Sequence, residues 1–247
     1  MKRFIPLAAA LLTLLAACGD DASVEATSTL VPATTAAPGN SITAAPVPPQ
    51  EVTFPTADGL RLEGRLFGTG PTWVILAHMR PADMASWFDF AQAAQEAGFT
   101  ALAYNNRGYG GSDPGDPLDV GADARAAFAY ARAGGARRVF FFGASMNGAA
   151  ALFLAAEENL AGIVSLSGVP EWDNTPGLES APEVTEPALF VAAEDDGNAV
   201  GMAEAMASAV GGDSRVVTYP TGGHGTTMFG ANPGLTALLL DFVRAHA

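Results

Sequence analysis

The chain has 247 residues, 49% hydrophobic and 15% charged, with a formal net charge of −14 at pH 7 and a single cysteine. That balance argues against a nucleic-acid partner and offers no basic attraction to anionic lipid headgroups. A lone cysteine excludes an internal disulfide, so the fold must rest on its hydrophobic core. The sequence has neither a second cysteine nor a histidine pair at helical spacing to hold a metal, and it has no phosphate loop; no cofactor is expected.

Lys2 and Arg3 give a positive start, and residues 4–17 are almost wholly apolar. That run has the length of a signal-peptide core and is short for a bilayer span. It closes as Leu15-Ala16-Ala17-Cys18, which resembles the lipobox of bacterial lipoproteins. The resemblance implies a leader over residues 1–17 and a lipidated Cys18 as the new N-terminus. It also implies an exported protein, anchored to a bacterial membrane in the cell envelope with its domain outside the cytoplasm. Residues 18–50 are rich in Ala, Thr, Pro and Ser and poor in large apolar side chains. They cannot bury enough surface to offset the entropy of ordering, and they read as a flexible tether. Residues 51–247 make one domain of ordinary size.

Within that domain, residues 52–54 and 60–67 flank Asp58-Gly59 and predict an antiparallel hairpin. Residues 72–77 form a continuous apolar run, as in a strand buried on both faces. Residues 86–97 have helical spacing and stop at Gly98. Strand 99–104 follows, then helix 119–133, strand 139–142, helix 147–158, strand 163–166, strand 188–193, helix 199–210, strand 215–219 and helix 235–245. Strands alternating with helices predict an α/β fold: a mainly parallel sheet flanked by helices on both faces. Ligands bind such sheets at the carboxyl ends of the strands.

Three strand ends carry candidate chemistry. Strand 139–142 runs into Gly143-Ala144-Ser145-Met146-Asn147, and a helix follows. Strand, sharp turn and helix expose a serine hydroxyl for nucleophilic attack, and the positions two before and two after it should be small. Gly143 fits; Asn147 stands at the second position, followed by Gly148. Of the three histidines, His246 lies on a terminus expected to fray and His78 ends the strand 72–77. His224 sits in the Gly-rich loop Thr221-Gly222-Gly223-His224-Gly225 after the last strand, where it can reach across the sheet top as a base. Strand 188–193 ends in Glu194-Asp195-Asp196-Gly197, which supplies three candidate acids.

The order of serine, acid and histidine resembles that of the α/β-hydrolase family, and the resemblance covers residues 51–247. It sets Ala193 at the glycine of a G-x-x-D pattern, which implies Asp196 as the acid orienting His224, with Asp195 as the runner-up. Ala77-His78-Met79-Arg80-Pro81 corresponds to an H-G-x oxyanion loop, with Met79 in place of the glycine. This implies that the N–H groups of Met146 and Arg80, with Met79 as the alternative, face the oxyanion. Residues 105–112 resemble a structural R-G-x-G-x-S segment. A dinucleotide site there would need a third glycine that is missing. The interval between Leu166 and Ala188 holds four prolines and Trp172 and is too short for the family's lid domain. Met79 and Trp172 are then candidates to line an open site, while Trp87 is expected in the core. The implied activity is hydrolysis of an ester-like bond in a small or extended substrate through an acyl-enzyme. The same residues also suit a catalytically inactive, surface-tethered binding protein or an acyltransferase.

Overall fold

The computed structural model describes residues 47–247. The expected leader, Cys18 and the expected tether up to residue 46 lie outside the described residues. The first strand begins at Gln50, two residues before the run expected from Val52, and the Val47 carbonyl just before it accepts a hydrogen bond from the Gln95 side chain.

Gln50–Pro55 (β1) and Arg61–Phe67 (β2) form the antiparallel hairpin, with Gly59 in the left-handed region at φ 89°. β2 pairs antiparallel with Thr100–Tyr104 (β4). From there the sheet is parallel, through Thr72–Ala77 (β3), Arg138–Ala144 (β5), Gly162–Leu166 (β6), Ala188–Ala193 (β7) and Ser214–Tyr219 (β8). The strand order is β1-β2-β4-β3-β5-β6-β7-β8. This is the α/β fold expected, with helices on both faces.

Side chains alternate across a strand, and β5 shows what that does to a run of three phenylalanines. Phe141 enters a core shared with α2 (Val120–Ala133), α3 (Met146–Glu157) and α5 (Ala199–Ala209). Phe140 and Phe142 enter the opposite core, shared with α1 (Phe88–Glu96) and α7 (Leu235–His246). All three are fully buried, each contributing about 1.5–3 kcal/mol of apolar burial as an upper estimate. An unbroken apolar strand is thus the signature of a sheet covered twice. Trp87 is buried in the second core, with its ring edge-on to Phe90 and Phe229.

Two element ends differ from the sequence reading. The helix expected from residue 86 begins as a 3-10 turn, Met84–Trp87, because the Asp83 carboxylate caps the N–H of Ala85; α1 proper starts at Phe88. His246 is not frayed: α7 runs through it, its ring lies 4.9 Å from that of Phe242, and its carbonyl accepts from Arg138. The α1 C-terminus is as expected, with Gly98 at φ 88°.

The connection from β6 to β7 carries only α4 (Gly177–Ser180) and a 3-10 turn, Ala181–Glu183. No lid domain is present among the described residues. α6 (Met228–Ala231) follows the loop after β8. Because β3 to β8 run the same way, the loops after them gather at one end of the sheet.

Candidate active site

Ser145 joins β5 to α3 at φ 54°, ψ −114°, a conformation a non-glycine residue holds only when its surroundings impose it. Those surroundings are three hydrogen bonds. The Ser145 N–H donates to the Leu166 carbonyl (2.9 Å), and its own carbonyl accepts from Gly148 (2.8 Å) and Val169 (3.1 Å). Glycine is required on both sides of the turn. A Cβ on Gly143 would lie 1.9 Å from the Asn147 carbonyl oxygen, and one on Gly148 would lie 2.4 Å from Gly168 Cα. The close approach on the helix side therefore falls on Gly148, which leaves position 147 free to carry a side chain.

The loop after β8 brings His224 to the carboxylate of Asp196: Nδ1 stands 2.8 Å from Oδ2 and 3.1 Å from Oδ1. A carboxylate at that nitrogen holds the proton on Nδ1 and leaves Nε2 as the free nitrogen. Asp195 points elsewhere and accepts the N–H groups of Gly222 and Gly223 at 3.1 and 2.9 Å; these bonds hold its carboxyl below the usual carboxylate range. Adjacent carboxylates thus divide the work: Asp195 shapes the loop and Asp196 faces the imidazole. Ser167, at the end of β6 with φ 48°, ties the same loop down by accepting the Gly225 N–H at 3.0 Å. Gly225 packs near the Ser145 turn, since a Cβ there would lie 3.5 Å from that of Ala144 and 2.7 Å from Met79 Sδ. His224 and Ser145 are the sequence neighbours of these two residues. Among the described residues no hydrogen bond joins the Ser145 hydroxyl to the His224 ring.

The loop after β3 lies on the other side. His78 is fully buried. Its Nε2 accepts the Asn106 N–H at 3.1 Å, so Nδ1 carries the proton and donates to the Met79 carbonyl at 2.9 Å. Burial pushes the His78 imidazole below its ordinary pKa, keeping it neutral. Asn147, also fully buried, donates from Nδ2 to the His78 carbonyl (2.6 Å) and to Asn106 Oδ1 (2.8 Å). Two acceptors at one amide atom identify that atom as the nitrogen. Asn106 in turn donates to the buried Asp123, which also accepts the N–H and Nε of Arg107 at 2.8 Å each. The segment 105–112 is therefore a structural scaffold, as its resemblance implied. The N–H groups of Met79, Arg80 and Met146 enter none of the turn and loop backbone hydrogen bonds among the described residues. Met146 is the first residue of α3, where an N–H has no partner within the helix.

The two residues expected to line the site differ in placement. Met79 is buried against Gly225 beside the Ser145 turn. Trp172 is half-buried, makes a two-way backbone bridge with Thr175, and packs on the core beneath α2 and α3. Arg80 is exposed. His78, Asn106, Asn147 and Ser167 were not singled out as working parts by their sequence. Their signal is polarity directly after an apolar strand, or within an otherwise apolar helix start. Among the described residues no three His, Cys, Asp or Glu side chains gather as a metal site.

A family model described as the alpha/beta hydrolase fold matches residues 72–215. An uncharacterised protein of Mycobacterium tuberculosis is 30% identical over 204 residues, covering 71% of this chain and 72% of the relative. An esterase from Exiguobacterium antarcticum superposes with a TM-score of 0.67 at 18% identity, covering 79% of this chain and 100% of that one. The enol-lactonase of Burkholderia xenovorans gives 0.65 at 17% identity, covering 78% and 100%. At such identities the likeness to the solved structures is one of fold.

Proposed function

Because the chain belongs to the alpha/beta hydrolase fold family, we propose that it is a serine hydrolase cleaving an ester-like bond of a small or extended substrate through an acyl-enzyme. The observations that carry this reading are the strained Ser145 turn and the loop whose Gly225 approaches Ala144 of that turn and whose His224 has its Nδ1 held by Asp196. Ser145 Oγ attacks the carbonyl carbon while His224 Nε2 takes its proton and later delivers it to the leaving group. Asp196 fixes the tautomer and stabilises the imidazolium. The N–H groups of Met146 and Arg80, or Met79 in place of Arg80, receive the oxyanion, an effect worth about 3–4 kcal/mol for a donor in a formed pocket. Water then repeats the sequence on the acyl-enzyme. Neighbours of this fold named an esterase and an enol-lactonase support an ester-like substrate.

The test is turnover of nitrophenyl acetate, butyrate and octanoate by the full chain and by Ser145→Ala. The expected result is a loss of about 10⁵-fold or more in kcat in the variant. A variant as active as the parent removes Ser145 from the mechanism. A parent that is inert and unlabelled by a fluorophosphonate probe points instead to a binding protein. Faster phenol release on adding an acceptor alcohol would mark an acyltransferase.

The reading includes an envelope location through a lipid on Cys18. Cys18→Ser is expected to move the protein from the membrane fraction to the soluble one, and an unchanged distribution rules the anchor out.

A further inference from the structure

The residue at position 147 is out of character for its place. It lies two residues after Ser145, in the first turn of α3, where the family pattern has a small residue; with the close approach taken up by Gly148, the position carries a fully buried asparagine. Its amide does not serve the helix. It reaches out to a loop 69 residues away in sequence, donating at 2.6 Å to the His78 carbonyl and at 2.8 Å to Asn106 Oδ1. Asn106 closes the ring by donating its N–H to His78 Nε2. That bond settles the imidazole tautomer, and His78 Nδ1 then pins the Met79 carbonyl. The base of the ring is anchored by the buried pair of Asp123 and Arg107.

The consequence follows from the planarity of the peptide group. In a trans peptide the C=O and the following N–H point in opposite directions. Holding the His78 carbonyl inward on Asn147 turns the Met79 N–H outward. Holding the Met79 carbonyl on the His78 ring turns the Arg80 N–H away from that ring. Neither of these two N–H groups enters a turn or loop backbone hydrogen bond among the described residues. We propose that Asn147 is a positioning residue that, through His78 and Asn106, fixes the two peptide planes that carry the N–H groups of Met79 and Arg80, tying the oxyanion loop to the helix that follows Ser145. This rests on the serine-hydrolase reading above. It explains how the loop keeps its shape although Met79 occupies the position where a glycine is usual. The clamp supplies from outside the rigidity that a tight glycine turn would supply from within. Asn147 does not touch the reacting atoms. It acts on the transition state through the loop, so its effect belongs in kcat rather than KM.

The test uses the full chain with Asn147→Asp, which preserves volume but puts acceptors against two acceptor oxygens, and Asn147→Gly, which restores the small residue. Circular dichroism and a melting curve select variants that fold. Two quantities are read: kcat and KM on nitrophenyl butyrate, and hydrogen exchange of the Asn106 amide, which the intact ring protects through His78 Nε2. The expected result is a fall in kcat of about 10- to 100-fold, KM within about twofold, and an Asn106 amide exchanging about tenfold faster or more. An unchanged kcat in a folded Asn147→Gly variant overturns the proposal, as does a loss confined to KM or an unchanged Asn106 amide. If the parent itself is inert on esters and unlabelled by fluorophosphonate, the hydrolase reading fails. The exchange measurement then still decides whether Asn147 holds the loop.

Discussion

Asp195 and Asp196 are chemically equivalent and adjacent, and only backbone geometry tells them apart. Asp196 meets His224 Nδ1, while Asp195 receives the amides of Gly222 and Gly223. Their substitution by asparagine should therefore have unequal effects. Asp196→Asn is expected to lower kcat by about 10⁴-fold, because the amide no longer enforces the reactive tautomer. Asp195→Asn keeps one acceptor for the loop and should cost about tenfold or less, the worth of one hydrogen bond. Equal losses in steady-state kinetics would contradict this division. From composition and order alone all three carboxylates of 194–196 were admissible; the choice of Asp196 came from family resemblance. No single-residue signal says which way each side chain of a turn will point. Asn147 was harder still. Its sequence position suggested an imperfect turn, and its role depends on partners at 78 and 106 that only the folded sheet brings near.

Helices and strands were more legible, since their signals are local and repeated. Apolar runs bounded by turn residues marked β3, β5 and β7, and the left-handed glycine at 98 ended α1 where expected. Boundaries slipped where a side chain captured the backbone, as Asp83 does ahead of α1. α2 shows the same chemistry at its start, where Asp119 accepts the Ala122 N–H at 2.8 Å. Replacing it by alanine leaves an N-terminal donor without its cap and should cost about 1 kcal/mol of stability, read from the midpoint of urea unfolding. An unchanged midpoint would mean that water caps the helix equally well. The short β6–β7 connection was legible from length and proline content. Its packing on the core through Trp172 was not, because a tryptophan between prolines fits a site wall and a core edge alike.

For the molecule as a whole, acidity dominates the charge, yet one buried base should govern the mildly acidic limb of its stability. His78 is neutral in the fold because burial lowers its pKa and because Nε2 is committed as an acceptor. The unfolded chain protonates it near the ordinary value of about 6.5. Below that pH the unfolded state binds more protons, so stability falls as pH falls from about 7 toward 5. Asp123, raised by burial, opposes this where it takes up its proton. Melting temperatures measured across that window should decline with pH, and a flat curve would show that His78 accepts a proton without leaving its place. The sheet order has a kinetic implication too. Asn147 meets His78 across 69 residues and Gly225 meets Ser167 across 58, so closing each of these contacts requires ordering long stretches of chain first. No fragment ending before β8 contains the candidate base, and none beginning after Pro81 contains the loop after β3. Secondary structure should therefore return early on refolding, and reactivity of Ser145 toward fluorophosphonate should return only when the loops after β3 and β8 have both packed around the turn after β5.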